Sequence, residues 1–241
     1  MENKDIYSNY FNSQIKNIAP SIDLHLKWSK LHFVKNFSKI LPANKECNIL
    51  EVGCGIGNNI LSLQSMGYNN CYGIDISQSQ IDYANRLGLK NVEKVDAIQY
   101  LSSKNDQYDC ILIIDVLEHL TYNQLIELGK YAFMALKKTG TLIIQVPNGF
   151  SIMNPILYSD ITHMRAFSVV SIKQFFAESG FPSKYTFVEP ILPNNSLISI
   201  LKNIIWKFFI KPIIYFVFTI SYKKIHPAIF TPNIIAGVQK D

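Results

Sequence analysis

Between Asn48 and Val146 the chain alternates short apolar runs with amphipathic stretches, and no other feature of the sequence limits the fold as much. Asn48–Val52, Cys71–Asp75, Asn91–Val95, Asp109–Asp115 and Thr141–Val146 have the length and β-branched content of buried strands. Gly57–Met66, Ser77–Leu87 and Thr121–Leu136 read as helices. Two of them open on capping boxes, Ser77-x-x-Gln80 and Thr121-x-x-Gln124. Strands that alternate with helices pair in parallel, and right-handed crossovers then build an open, doubly wound α/β sheet. Ligands of such sheets sit beyond the carboxyl ends of the strands, so the informative residues follow positions 52, 75, 95, 115 and 146.

The first strand runs into Glu51-Val52-Gly53-Cys54-Gly55-Ile56-Gly57. Glycines at 53 and 55 let the backbone turn sharply and bring main-chain amides close to a ligand. A dinucleotide fingerprint would require glycine at 58, where the chain has Asn58, so a pyrophosphate ligand is disfavoured. Asp75 closes the second strand and can accept two hydrogen bonds from a ribose diol. Asp96-Ala97 follows the third strand, where a carboxylate can meet an adenine amino group or simply cap a turn. The fourth strand ends in Asp115-Val116-Leu117-Glu118-His119.

Together these segments resemble class I S-adenosylmethionine-dependent methyltransferases from about Ile22 to Lys240. Glu51–Gly57 is similar to the family's first motif, Gly73–Ser77 to its ribose motif and Val95–Ala97 to its adenine motif. Tyr108–Leu120 and Leu136–Asn148 are similar to its fourth- and fifth-strand regions. The resemblance implies S-adenosyl-L-methionine as cofactor, held by Glu51, Gly53, Gly55, Asp75, Ile76, Asp96, Ala97, Asp115 and Val116. It also implies a mostly parallel, seven-stranded sheet in one domain. Its sixth strand would be Lys184–Glu189, and its last, antiparallel strand Asn233–Gln239. The sheet core would comprise residues 48–190 and 232–241, preceded by an N-terminal helical cap, residues 1–41, whose helix Ile22–Leu41 stops at Pro42.

The acceptor is constrained by what is missing and by one loop. Neither Asn/Asp-Pro-Pro-Tyr/Phe nor Pro-Cys follows the fourth strand, which argues against adenine, glutamine and cytosine-C5 acceptors. No basic helix or aromatic-basic platform stands out in residues 1–190, so a nucleic-acid partner is not expected. The segment Asp160-Ile161-Thr162-His163-Met164-Arg165-Ala166-Phe167-Ser168 resembles bacterial sugar and surface-polysaccharide methyltransferases. It resembles quinone-pathway enzymes less, although they share the Glu-His after strand four. His163 or His119 could take the proton of a sugar hydroxyl, since imidazole titrates near neutral pH, or could merely anchor its loop. Arg165, Asp160 and Glu118 are candidate acceptor-binding groups, and Arg165 could equally pair with Asp160. Asp115, Glu118 and His119 are too short a cluster to assign a metal. Cys47, Cys54, Cys71 and Cys110 lack ligand spacing and suit a reducing compartment.

Charge is unevenly placed. Six lysines and no acid lie between Ile191 and Lys240, while the rest of the chain carries 17 basic and 18 acidic residues. The insertion 191–231 separates the last two strands and is apolar almost all round, with Pro212 expected to interrupt its helix. Its longest charge-free run after Lys211, Pro212–Tyr222, is shorter than the ~20 residues of a membrane span. Trp206, the lysines and the Phe/Ile content suit attachment to an anionic membrane surface, with a cap on the sheet or a dimer face as alternatives. The N-terminus has no apolar signal core, so a cytoplasmic protein, peripheral on the inner membrane face, is expected. The leading expectation is O-methylation of a sugar or lipid-linked glycan. A quinone-like acceptor is the runner-up, and a non-catalytic membrane-surface binding protein with a cofactor fold is the alternative of another class.

Overall fold

A computed structural model describes residues 22–190, 196–221 and 229–241. Helix α1 (Ile22–Phe37) precedes β1 (Ile49–Val52), α2 (Asn58–Ser65), β2 (Cys71–Asp75), α3 (Gln78–Arg86), β3 (Val92–Lys94) and α4 (Ala97–Leu101). Then come β4 (Tyr108–Ile114), a 3-10 turn (Leu117–His119), α5 (Tyr122–Ala135), β5 (Leu136–Pro147), α6 (Pro155–Tyr158) and α7 (Val169–Glu178). Strand β6 (Tyr185–Val188), helices α8 (Leu197–Ile205) and α9 (Lys211–Ser221), and β7 (Asn233–Gln239) complete the described chain.

The seven strands form one sheet in the order β3-β2-β1-β4-β5-β7-β6. All neighbours up to β5 pair in parallel, and β7 runs antiparallel to both β5 and β6, as expected from sequence. Strand order reverses between β1 and β4, which places the turns after these two strands side by side. One sheet face buries Ile111, Ile113, Leu142 and Ile144 against α5 and α7, through Leu128, Ala132 and Phe176. The other buries Ile49, Cys110 and Ile143 against α1 to α3, through Phe33, Phe37, Ile60 and Ile81. All four cysteines are free and buried.

Three local expectations are corrected. Helix α1 ends at Phe37 rather than at Leu41. The capping box at Ser77 does not form: its backbone N–H, which Gln80 would take, goes to Asp75 Oδ1 at 2.8 Å, and its hydroxyl lies 3.0 Å from that of Ser79. The capping box at Thr121 does form, as does a Ser168–Ser171 box at the start of α7. Pro212 does not break the insertion helix, which continues from Leu197 to Ser221 over 25 residues. Proline lacks an amide donor and collides with the carbonyl four residues earlier. A π-helical turn, Trp206–Ile210, immediately precedes it and absorbs the mismatch.

That helix is also long and apolar enough to cross a membrane by length and composition, contrary to the estimate from charge-free runs. It does not cap the sheet: Phe208, Phe209, Phe216 and Ile220 are all more than 60% exposed. Contacts at two points tie it to the sheet. Lys211 pairs with Glu189 just after β6, and the ring of Phe218 lies 5.8 Å from Phe150 and 5.4 Å from the buried Phe230. The returning chain is clamped by Asn148, which is fully buried and whose Nδ2 donates to the carbonyls of Ile229 and Thr231. Trp206 is half-buried rather than presented to solvent.

Candidate active site

A cavity of about 500 Å³ opens where β1 and β4 end, with Gly53, Gly55, Asp115 and Gln145 in its wall and α1 across it. Gly53 has φ +71°, and a Cβ there would lie 2.3 Å from Val116 Cγ2. Gly55 has φ +54°, and a Cβ would lie 2.8 Å from Gln80 Oε1. Both conditions exclude other residues, so the wall that faces a ligand here is bare backbone.

The acids around this turn have distinct jobs. Asp75 is buried and holds the glycine turn, accepting the Gly55 N–H through Oδ2 and the Ser77 N–H through Oδ1, each at 2.8 Å. Burial raises its carboxyl above the usual range, while the amides of Ser77, Gly55 and Ile76 oppose that shift. Two oxygens offer about four acceptor positions, so a ribose diol can still be bound. Glu51 lies fully buried behind the turn and is pushed up to about 8, first by desolvation. The 2.6 Å hydrogen bond from Asn59 Nδ2 works against this, and the nearby charge of Asp75 adds to it. Asp96 is exposed and caps α4, accepting the Gln99 N–H at 3.0 Å, with Ala97 as the first residue of that helix.

Asp115 sits at φ +54°, a left-handed conformation unusual for a residue with a side chain, and such strain gathers at functional positions. Its surface is exposed to the cavity while protein rings it, so desolvation raises its carboxyl above the usual range. Gln145 Nε2 holds both oxygens at 3.1 and 2.9 Å, and His163 also favours the ionised form.

Beyond Asp115 the fold brings together residues distant in sequence. The loop after β5 returns so that Met164 N–H donates to the Glu118 carbonyl at 2.9 Å, and the rings of His119 and His163 lie 4.7 Å apart. Burial, then His163, pushes His119 down to about 4. Desolvation, and next the charge of Asp115, pushes Glu118 well above the carboxylate range. Asp160 accepts both the N–H and the hydroxyl of Thr162, at 2.8 and 2.6 Å, and so braces its own loop. Arg165 is half-buried and has no ion-pair partner among the described residues, so the suggested pair with Asp160 does not form.

Several lining residues escaped the sequence reading. His25, Trp28, Ser29 and His32 of α1 all face the cavity, and Asn58 Nδ2 lies 2.9 Å from His25 Nε2. Their spacing of three, four and seven residues is a single helical stripe, a signal that was present in the sequence.

A glycine turn at the point of strand reversal, acids at the strand ends and a reversed last strand define the class of S-adenosylmethionine-dependent methyltransferases. The bare backbone wall, the orphaned Glu51 Oε2 and the bonding capacity of Asp75 fit that cofactor. Residues 25–182 match the family model described as a methyltransferase domain, and the chain belongs to that family. It is 40% identical over 85 residues to a probable (S)-tetrahydroprotoberberine N-methyltransferase 2 of Papaver bracteatum, covering 32% of this chain and 23% of that protein. It is 30% identical over 124 residues to a ubiquinone biosynthesis O-methyltransferase of Rickettsia conorii, covering 49% of this chain and 41% of that protein. The chain thus spans less than half the length of these two curated relatives. A crystal structure of a SAM-dependent methyltransferase from Archaeoglobus fulgidus superposes with TM-score 0.64 at 22% identity, covering 99% of this chain and 100% of that one. At that identity the likeness speaks for the fold.

Proposed function

We propose that this methyltransferase methylates a hydroxyl on a lipid-borne acceptor, with a lipid-linked sugar as the first candidate. One observation carries the reading: an exposed, apolar, lysine-bearing helix stands beside the ligand end of the sheet. Strand β6 ends on that side and β7 begins there, so the insertion emerges on the ligand side of the sheet, at its β6 edge. The cofactor supplies an electrophilic methyl group on a sulfonium. The acceptor oxygen forms its bond to that methyl in line as the carbon–sulfur bond breaks, and the hydroxyl proton leaves. Alignment supplies much of the rate in such a displacement. His119 and His163 lie beyond Asp115, where either could receive the proton, and Arg165, which has no ion-pair partner among the described residues, could meet a phosphate on the acceptor.

The Thr162-His163-x-Arg165-x-Phe167-Ser168 segment favours the sugar; likeness to a ubiquinone biosynthesis enzyme favours a quinone-like phenol as second reading. Of the six lysines between Ile191 and Lys240, Lys211 is taken by Glu189, Lys240 sits at the far end of the sheet on Asp106, and Lys223 and Lys224 lie outside the described residues. Lys202 and Lys207 are exposed, and each can contribute ~1 kcal/mol beside an anionic surface. Burial of Phe208 or Phe209 contributes a further ~1.5–3 kcal/mol. The full chain should float with phosphatidylglycerol vesicles, less so as salt rises, and transfer labelled methyl to a polyprenyl-phosphate-linked sugar in them. Lys202→Glu with Lys207→Glu should release it while cofactor affinity stays constant. A chain that remains free at low salt, or that methylates soluble acceptors equally well, would sink this reading. Transfer to a vesicle-borne phenol but not to the sugar would select the second one.

A further inference from the structure

Glu118 is fully buried, and neither of its carboxylate oxygens has a hydrogen-bond partner. A carboxyl withdrawn from water in this way keeps its proton unless a counter-charge is supplied. His163 Nε2 lies 3.9 Å from Glu118 Oε1, beyond hydrogen-bond reach. The other nitrogen of that ring, Nδ1, must donate, because it lies 2.9 Å from the carbonyl of Ile156, which only accepts. In the neutral ring, Nε2 therefore turns a lone pair toward Glu118. The His119 ring is set by the same logic. Thr162 gives its hydroxyl proton to Asp160 at 2.6 Å, so at 2.8 Å it accepts from His119 Nδ1. Each imidazole is thus fixed in one tautomer by an acceptor or a hydroxyl behind it, as metal-ligating histidines are.

One donor atom from each of Glu118, His119 and His163 lies within 4.8 Å of the other two. We infer that these three side chains bind a divalent first-row transition ion in the corner beyond Asp115, next to the cofactor cavity. Two imidazoles and one carboxylate suit Zn²⁺, Fe²⁺ or Mn²⁺ better than Mg²⁺, which keeps to oxygen ligands. Bonds of ~2.1 Å place tetrahedral ligands ~3.4 Å apart, so each donor moves inward by less than about 1 Å. Sequence alone offered only Asp115, Glu118 and His119 on one short turn. The fold adds His163, 45 residues beyond Glu118, and that changes the assignment from no metal to a site.

Three protein ligands leave a position open, and Asp115 connects this corner to the cavity. With both imidazoles engaged as ligands, the ion rather than a histidine base would acidify an acceptor hydroxyl, whose proton would leave to solvent as its oxygen takes the methyl. This role, unlike the binding itself, rests on the hydroxyl methylation proposed above.

The test starts from the full chain stripped with a chelator. Titration with Zn²⁺ by calorimetry should show one saturable site. Co²⁺ should give the weak visible bands of nitrogen and oxygen ligands, without the near-ultraviolet thiolate bands expected if the cysteines bound it. Glu118→Gln, which keeps the size and neutral state of the buried side chain and should fold, and His163→Ala should each weaken binding at least ~100-fold while circular dichroism is unchanged. No saturable binding by the unaltered chain, or equal affinity in folded variants, overturns the site. Full methyl transfer in chelator overturns the ion's role. Tight binding without transfer to any hydroxyl acceptor upholds the site and instead sinks the acceptor reading.

Discussion

Glu51→Gln tests the electrostatics of the cofactor wall with almost no change of shape. In the folded chain the carboxyl is pushed up to about 8 from its ordinary 4.5, chiefly because it is fully buried. Below pH ~4.5 both folded and unfolded chains hold this proton, and the group contributes no pH dependence. As pH rises toward 8 the unfolded chain ionises while the folded one does not, so stability falls by ~1.4 kcal/mol per pH unit, then levels off. Between pH 6 and 8 the loss is about 2–3 kcal/mol, or roughly 4–12 °C in Tm for a chain of this size. Glutamine keeps a hydrogen-bonding oxygen for Asn59 and has no proton to lose. The variant should therefore match the wild type near pH 5 and become the more stable protein by pH 8. Thermal unfolding of both chains without cofactor, in buffers from pH 5 to 9, reads the difference directly and cancels the contributions of Asp75 and Asp115. Parallel curves would mean that Glu51 is ionised in the fold, and the argument from burial would be wrong.

Asp75→Ala removes the acceptor of the Gly55 and Ser77 amides, so it should lower Tm as well as weaken cofactor binding ~10-fold or more by calorimetry. Unchanged affinity in a folded variant would take Asp75 out of the site. Gly53→Ala forces a Cβ onto Val116 at a left-handed φ and should reduce cofactor affinity; adding Val116→Ala should restore part of it. If the double variant is no better than the single one, the φ cost and not the clash decides.

Strands were the most legible elements because each is a buried run bounded by polar turns; Cys71–Asp75 and Asn233–Gln239 match residue for residue. The departures have local causes. At Ser77, a carboxylate two residues upstream takes the backbone N–H that Gln80 would take, which no pattern over four residues conveys. Asp96 caps α4 through one oxygen, which its position allowed alongside a contact with adenine. Glycines 53 and 55 and the acids at 51, 75 and 115 were legible because strand ends in this topology converge. The meeting of Glu118 with His163, and the arrival of His25 and His32 over the cavity, are tertiary facts, set by where a loop and a helix land.

The insertion helix shows how length and attachment together decide orientation. Its 25 residues extend ~37 Å, more than the ~30 Å of a bilayer's apolar core, so length alone would permit a span. The anchors argue otherwise. Lys211, near the middle, is held at the end of β6, and Phe218, near the far end, is packed on Phe150 and the buried Phe230. Both points belong to the ligand end of the sheet, since Phe230 precedes β7 by three residues and Phe150 follows β5 by three. A spanning helix would have to give up one anchor and carry its C-terminal end away from a strand that starts only 12 residues after Ser221. Lying flat satisfies both. It also presents Phe208, Phe209 and Lys207 together at the π-helical turn, where apolar rings and a basic head suit the headgroup boundary of an anionic membrane. Under the function proposed above, attachment in that pose would set the ligand end of the sheet beside the lipid that carries the acceptor.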